Sequence, residues 1–216
     1  MSNWKRLSRA EMAARAAGDI PDGSYVNLGI GIPTLVSRHL PAGRDVILHS
    51  ENGIVGMGPA PADGIIDTAL VNASKEPVTL LPGASITDHA TSFAMMRGGH
   101  IDLTILGAYQ VSREGDLANW DTGAPDAIPA VGGAMDLVVG ARQAWVLMEH
   151  VTKDGKPRIV EHCSYPLTGT RVVDRIYTDL AVIDIQAGRL MLRWMVDGLS
   201  FDALQAITGA PLEQPR

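Results

Sequence analysis

A doubly wound α/β fold with a mostly parallel sheet is what this chain of 216 residues predicts, and three observations carry the prediction. Short apolar runs recur along the chain, several of them continuously apolar, as strands covered on both faces are. Segments able to form helices lie between them. Near the end, two apolar runs flank Gln186-Ala187-Gly188 as in a hairpin, which adds an antiparallel edge.

Ser8 followed by Glu11 fits a capping box, and the Ala- and Met-rich residues after it predict a helix through Ala17. Gly18 and the turn Pro21-Asp22-Gly23 should end it, before a strand over 24–28. Gly29 and Gly31 then permit a tight turn, and Pro33 suits the first position of a helix ending near Leu40. Further strands are expected at 45–49, 78–81, 101–106 and 143–148, most of them buried on both faces. Helices are expected at 88–97 and 133–139, the hairpin at 180–185 and 190–194, and a terminal helix at 201–207. No repeat, low-complexity tract or linker interrupts the pattern, so the expectation is one domain over 1–216.

Composition narrows the function. The chain is 46% hydrophobic and 19% charged, as soluble globular proteins are, and lacks an apolar run long enough to span a bilayer. Its first residues have no apolar core of a secretory signal, so the cytosol is the expected compartment. The one cysteine, Cys163, offers neither a disulfide nor metal-ligand spacing. A net charge of -6 argues against a nucleic-acid surface, while leaving room for one small anionic ligand. The six histidines are scattered without a metal-binding pair, and no metal is expected.

The stretch Ser50-Glu51-Asn52-Gly53, with Gly56 and Gly58 after it, places a carboxylate directly behind an expected buried strand and ahead of a glycine-rich loop. Strand ends are where open α/β sheets bind ligands, and a carboxylate there can act as a nucleophile. The same four residues also read as a polar surface turn. Gly132-Gly133, at the start of the helix expected at 133–139, can present backbone N–H groups to an oxyanion, or can simply be a packing turn. Gly29-Ile30-Gly31 lacks the third glycine of a dinucleotide fingerprint, since Thr34 occupies that position. Ser50 lacks the flanking glycines of a hydrolase nucleophile.

Taken together, Ser50-Glu51-Asn52-Gly53 and Gly56-Met57-Gly58-Pro59 resemble the active-site signature of the B subunit of 3-oxoacid CoA-transferases. Residues 92–100, 107–112, 115–120, 132–137 and 165–169 resemble the same family in the same order. The resemblance implies a fold shared with sugar-phosphate isomerases, with Glu51 as the nucleophile and the Gly132 backbone as an oxyanion donor. It implies that Gly29, Gly31, Asn52, Gly53 and Gly133 contact CoA or the acid. The coenzyme A thioester is then a substrate, and no metal or redox cofactor is required. This chain resembles only the second half of the active unit, so an A subunit is the implied partner, in an α2β2 assembly. Members acting on 3-oxoadipate and on acetoacetate share these motifs. A sugar-phosphate isomerase would instead use Glu51 as a base, and a non-catalytic subunit would leave activity intact after Glu51→Ala. Arg97, Arg113 and Arg142 are the candidate partners for a distal acid group, though each also reads as a surface arginine.

Overall fold

The computed structural model describes residues 4–62, 66–124 and 128–214. The first helix, α1 (Arg9–Asp19), has the expected capping box: the Ser8 hydroxyl accepts from the Glu11 N–H, and the Glu11 carboxylate accepts from the Ser8 N–H at 2.7 Å. It passes through Gly18 and stops at Ile20, where the following Pro21 disfavours helical backbone. Strand β1 (Tyr25–Leu28) leads into a helix at Ile32–His39 that is 3-10 in form. The hydroxyls of Thr34 and Ser37 each bond a carbonyl three residues back, at 2.8 Å, which suits the tighter winding.

The elements that follow are β2 (Ile47–Ser50), β3 (Ile54–Met57), β4 (Leu80–Ile86), α2 (His89–Arg97), β5 (Leu103–Leu106), β6 (Gln110–Ser112), β7 (Leu117–Ala118) and α3 (Ala134–Gly140). The remainder are β8 (Gln143–Leu147), β9 (Ile159–Val160), β10 (Arg175–Tyr177), β11 (Ala181–Gln186), β12 (Arg189–Met195), α4 (Phe201–Ala206) and β13 (Leu212–Glu213). Among the described residues, ten strands form one sheet in the order β13-β12-β11-β10-β8-β5-β1-β2-β3-β4, and β7-β6-β9 form a smaller one. The five central strands, β10-β8-β5-β1-β2, pair in parallel. Antiparallel pairs flank them on both sides: β2 with β3 and β3 with β4, and β10 with β11 and β11 with β12.

Both faces of the parallel strands are apolar because alternate residues serve different cores. On β5, Leu103 and Ile105 pack with Met12 and Ala16 of α1; on the opposite face, Leu106 packs with Met96 of α2 and Leu137 of α3. On β8, Trp145 and Leu147 face the α1 side, and Ala144 and Val146 the α2 and α3 side. Helices on both faces of a mostly parallel sheet are the doubly wound arrangement expected from the sequence.

Three expectations are corrected. The strand expected at 78–81 begins at Leu80, runs to Ile86, and is largely exposed, with Leu81 at 43% and Ile86 at 64% exposure; it is an edge strand covered on one side by β3. The glycines after Glu51 do not make one loop but belong to β3 and its flanks, where Gly56 (φ 84°) sits in a bulge against Ala84 of β4. The helix expected at the end is followed by β13, which pairs in parallel with β12. Among the described residues, no helix is long and apolar enough to cross a membrane.

Candidate active site

Strand order reverses between β1 and β5. From β1 the chain moves outward through β2, β3 and β4, then returns to β5 on the other side of β1 and proceeds through β8 and β10. At such a switch point the loops leaving the carboxyl ends of neighbouring strands run to opposite faces and leave a crevice between them. A cleft of about 480 Å³ lies there. Its walls come from Asn27 to Ile30 at the end of β1, Leu106 to Tyr109 at the end of β5, Glu51 at the end of β2, and residues 130–134 leading into α3.

The position of Glu51 follows from the local hairpin. Ser50 and Ile54 are paired across β2 and β3, which leaves Glu51, Asn52 and Gly53 as a three-residue turn closed by the Gly53 N–H to the Ser50 carbonyl at 2.9 Å. The polar-turn reading and the strand-end carboxylate reading therefore describe the same structure. Burial of Glu51 raises its carboxyl pKa above the ordinary range; His89 opposes the rise and the like charge of Asp136 adds to it. The carboxylate accepts no hydrogen bond among the described residues, and it lies against Gly133, in the space a Cβ would fill. Gly132 holds a left-handed conformation (φ 53°), and the N–H groups of Gly132 and Gly133 donate to no acceptor among the described residues.

Of the positions that the resemblance implicates, Glu51, Gly29, Gly132 and Gly133 meet in this cleft. Gly29 is held by its N–H to the Ile105 carbonyl at 2.8 Å, tying β1 to β5 at the cleft floor. Asn52, Gly53 and Gly31 do not line it. Asn52 is exposed and donates to the Val71 carbonyl at 2.8 Å. Gly53 (φ 116°) lies against the carbonyl of Thr87, whose N–H donates back to Gly53 at 2.8 Å. Gly31 (φ 90°) caps the 3-10 helix, with its carbonyl taken by Thr34. Arg97, Arg113 and Arg142 stand outside the cleft, in ion pairs with Asp136, Glu161 and Asp102.

Sequence reasoning missed several lining groups. Asn27, buried on β1, donates its amide to His49 Nδ1 at 3.1 Å, and His49 Nε2 meets Ser92 Oγ of α2 at 3.0 Å. With Asn27 donating to Nδ1, the imidazole carries its proton on Nε2 and donates to Ser92; burial depresses its pKa to about 4, so the ring is neutral. Asn119 is fixed by the Thr168 hydroxyl at 2.6 Å and donates to the Gly107 carbonyl at 3.2 Å. Tyr109 and Arg158 complete the polar wall. Tyr109 and Asn119 fall in the segments 107–112 and 115–120 that resemble the family, but no sequence signal assigns a role to them or to Arg158; the return of β5, β6 and β9 toward β1 brings them into the cleft that Glu51 lines.

A doubly wound sheet with an unpaired carboxylate and free glycine amides at its switch point defines a group-transfer or small-ligand site of the α/β class. The sequence profile of the coenzyme A transferase family matches residues 9–206, and the chain belongs to that family. It is 57% identical over 210 residues to the B subunit of the 3-oxoadipate CoA-transferase of Acinetobacter baylyi, covering 97% of each chain. It is 46% identical over 205 residues to the B subunit of the succinyl-CoA:3-ketoacid coenzyme A transferase of Helicobacter pylori, covering 95% of this chain and 98% of that one. Among solved structures, the acyl-CoA transferase of Escherichia coli O157:H7 superposes with a TM-score of 0.75 at 19% identity, which shows the shared fold. The alignment covers 97% of this chain and only 42% of that longer one.

Proposed function

We propose that this chain is the glutamate-bearing B subunit of a cytosolic two-subunit CoA-transferase, acting as one domain, that moves CoA from succinyl-CoA to 3-oxoadipate. The observation that carries the reading is the half-buried, unbonded Glu51 carboxylate packed against Gly133 in the switch-point cleft that Gly132 also lines. The identity to the Acinetobacter protein favours 3-oxoadipate; acetoacetate is the second acceptor, favoured by the identity to the Helicobacter protein.

In this reading a Glu51 oxygen attacks the thioester carbonyl of succinyl-CoA, the C–S bond breaks, and CoA leaves as the thiolate, giving a succinyl-glutamyl anhydride. The thiolate then attacks the Glu51 carbonyl, forming a glutamyl-CoA thioester and releasing succinate. The acceptor carboxylate attacks that thioester, and the returning thiolate takes the new acyl group, which restores Glu51. Negative charge on each tetrahedral oxygen is met by the Gly132 amide, a kind of donor whose loss costs about 3 kcal/mol. Burial of Glu51 favours the neutral anhydride and thioester over a solvated carboxylate. The steps need no metal or redox cofactor.

The longer Escherichia coli chain, less than half of which this chain matches, supports a second half supplied here by an A subunit, in an α2β2 complex. Co-expression with that subunit, incubation with succinyl-CoA and peptide mass spectrometry test the proposal. A hydroxylamine-sensitive CoA adduct on Glu51, absent in an assembled Glu51→Gln complex that has lost turnover, is expected. Full turnover by the Gln variant overturns it.

A further inference from the structure

Besides Glu51, Arg158 is the only charged residue among the described residues lining the cleft. It precedes β9, and its backbone is already used: its N–H donates to the His150 carbonyl at 3.1 Å, and its carbonyl accepts from the Val111 N–H at 2.9 Å. What it can present to the cleft is therefore its side chain. That side chain is half-buried and makes no ion pair among the described residues, unlike Arg97, Arg113 and Arg142, each of which has a carboxylate partner. A half-buried guanidinium left without a carboxylate in a ligand cleft is poised to gain one from the ligand.

The two charges belong to different walls. Glu51 is on the hairpin at the end of β2 in the large sheet, while Arg158 directly precedes β9 of the small sheet. Both line the cleft, but among the described residues no ion pair joins Arg158 to Glu51. A cation paired with Glu51 would lower its nucleophilicity; a cation across the cleft can instead hold the far end of an acid whose near end reacts.

We propose that Arg158 binds the distal carboxylate of a dicarboxylic acyl group, making it the residue that selects dicarboxylic over monocarboxylic substrates at the Glu51 cleft. The inference rests on the CoA-transferase reading and deepens it. Arginine suits the task because its planar fork of N–H donors matches a carboxylate in two parallel bonds.

The test uses the complex with its A subunit and two acids of nearly equal size, succinate and its monoamide succinamate, each as acceptor from 3-oxoadipyl-CoA, the thioester that the proposed reaction forms. The ratio of kcat/KM for succinate to that for succinamate should fall about 10- to 100-fold in Arg158→Met, the scale of one lost charge-assisted contact, with partial recovery in Arg158→Lys. An unchanged ratio overturns the assignment. That holds whether both rates persist or both fall together with a raised KM for the CoA thioester, the pattern of an arginine holding a CoA phosphate. Calorimetric titration with both acids gives a second readout: wild-type preference for succinate, lost in Arg158→Met. If the wild-type complex turns over no acid, the transferase reading fails, and the titration alone decides the role of Arg158.

Discussion

The Glu51 carboxylate packs against the α-carbon of Gly133, so that the reactive group of one strand-end turn occupies the side-chain space of a residue 82 positions further along the chain. Gly133 has an ordinary backbone conformation (φ -83°), so an added methyl would not strain the main chain. It would meet Glu51 and the edge of Phe93, whose Cζ lies 3.2 Å from the Cβ position. Gly133→Ala is therefore expected to leave assembly intact and reduce kcat by about 100-fold, the scale of an ångström misplacement of a reacting group. Steady-state kinetics on the assembled complex, beside a thermal melt, check it; near-normal kcat would show that Glu51 works from another position.

Ionised Glu51 is the form that attacks, so kcat/KM should decline as pH falls through its raised pKa. Asp136 contributes to that rise, and its carboxylate also binds Arg97 Nε at 2.6 Å. Asp136→Asn removes a like charge and unmasks a cation, and both effects favour the Glu51 anion. The acid limb of the pH–rate profile should move to lower pH. A limb that stays put, or moves upward, would contradict this electrostatic picture.

Gly53→Ala should act on stability. The residue holds φ 116°, where a side chain is strained, and a Cβ would run into the Thr87 carbonyl that closes the turn. A loss of about 2–4 kcal/mol is expected in urea unfolding. Because Gly53 lies outside the cleft, the fraction that remains folded should bind CoA thioesters much as the parent does, which a Glu51-facing role for Gly53 would not allow.

Two buried histidines make the fold acid-sensitive. His150 bridges Thr178 Oγ1 at 3.0 Å and Thr208 Oγ1 at 2.9 Å, and burial holds its pKa to about 4, as for His49. Both folded pKa values lie below the ordinary value of 6.5, so the unfolded chain binds more protons between the two. Stability is complete above pH 6.5 and is lost as pH falls toward 4, at about 2 kcal/mol per histidine by pH 5. Chemical denaturation at pH 7.5 and pH 5 measures the loss. His150→Gln should flatten the dependence by about half, and an equally steep dependence in that variant would assign it elsewhere.

Much of the architecture was legible in the residues because the signals were local. Ser8 and Glu11 reach only one turn, Ala187 and Gly188 adopt the left-handed conformations that a two-residue hairpin needs, and the continuous apolar runs of β5 and β8 reflect cores on both faces. Weaker signals failed where context ruled. The two- and three-residue strands β6, β7, β9 and β10 are too short to show a period, and the exposure of β4 depends on its place at the sheet edge.

By itself, the sequence determined the α/β class, the position of Glu51 behind a buried strand, and the family to which the chain belongs. Tertiary structure decided which residues share the cleft. Hydrophobic patterning states that a strand has two apolar faces but not which strand lies beside it, and the reversal of order between β1 and β5 is what creates the crevice. That reversal brings Asn27, Glu51, Gly133 and Arg158 into one cleft, and leaves Gly31, Asn52 and Gly53 to shape turns outside it.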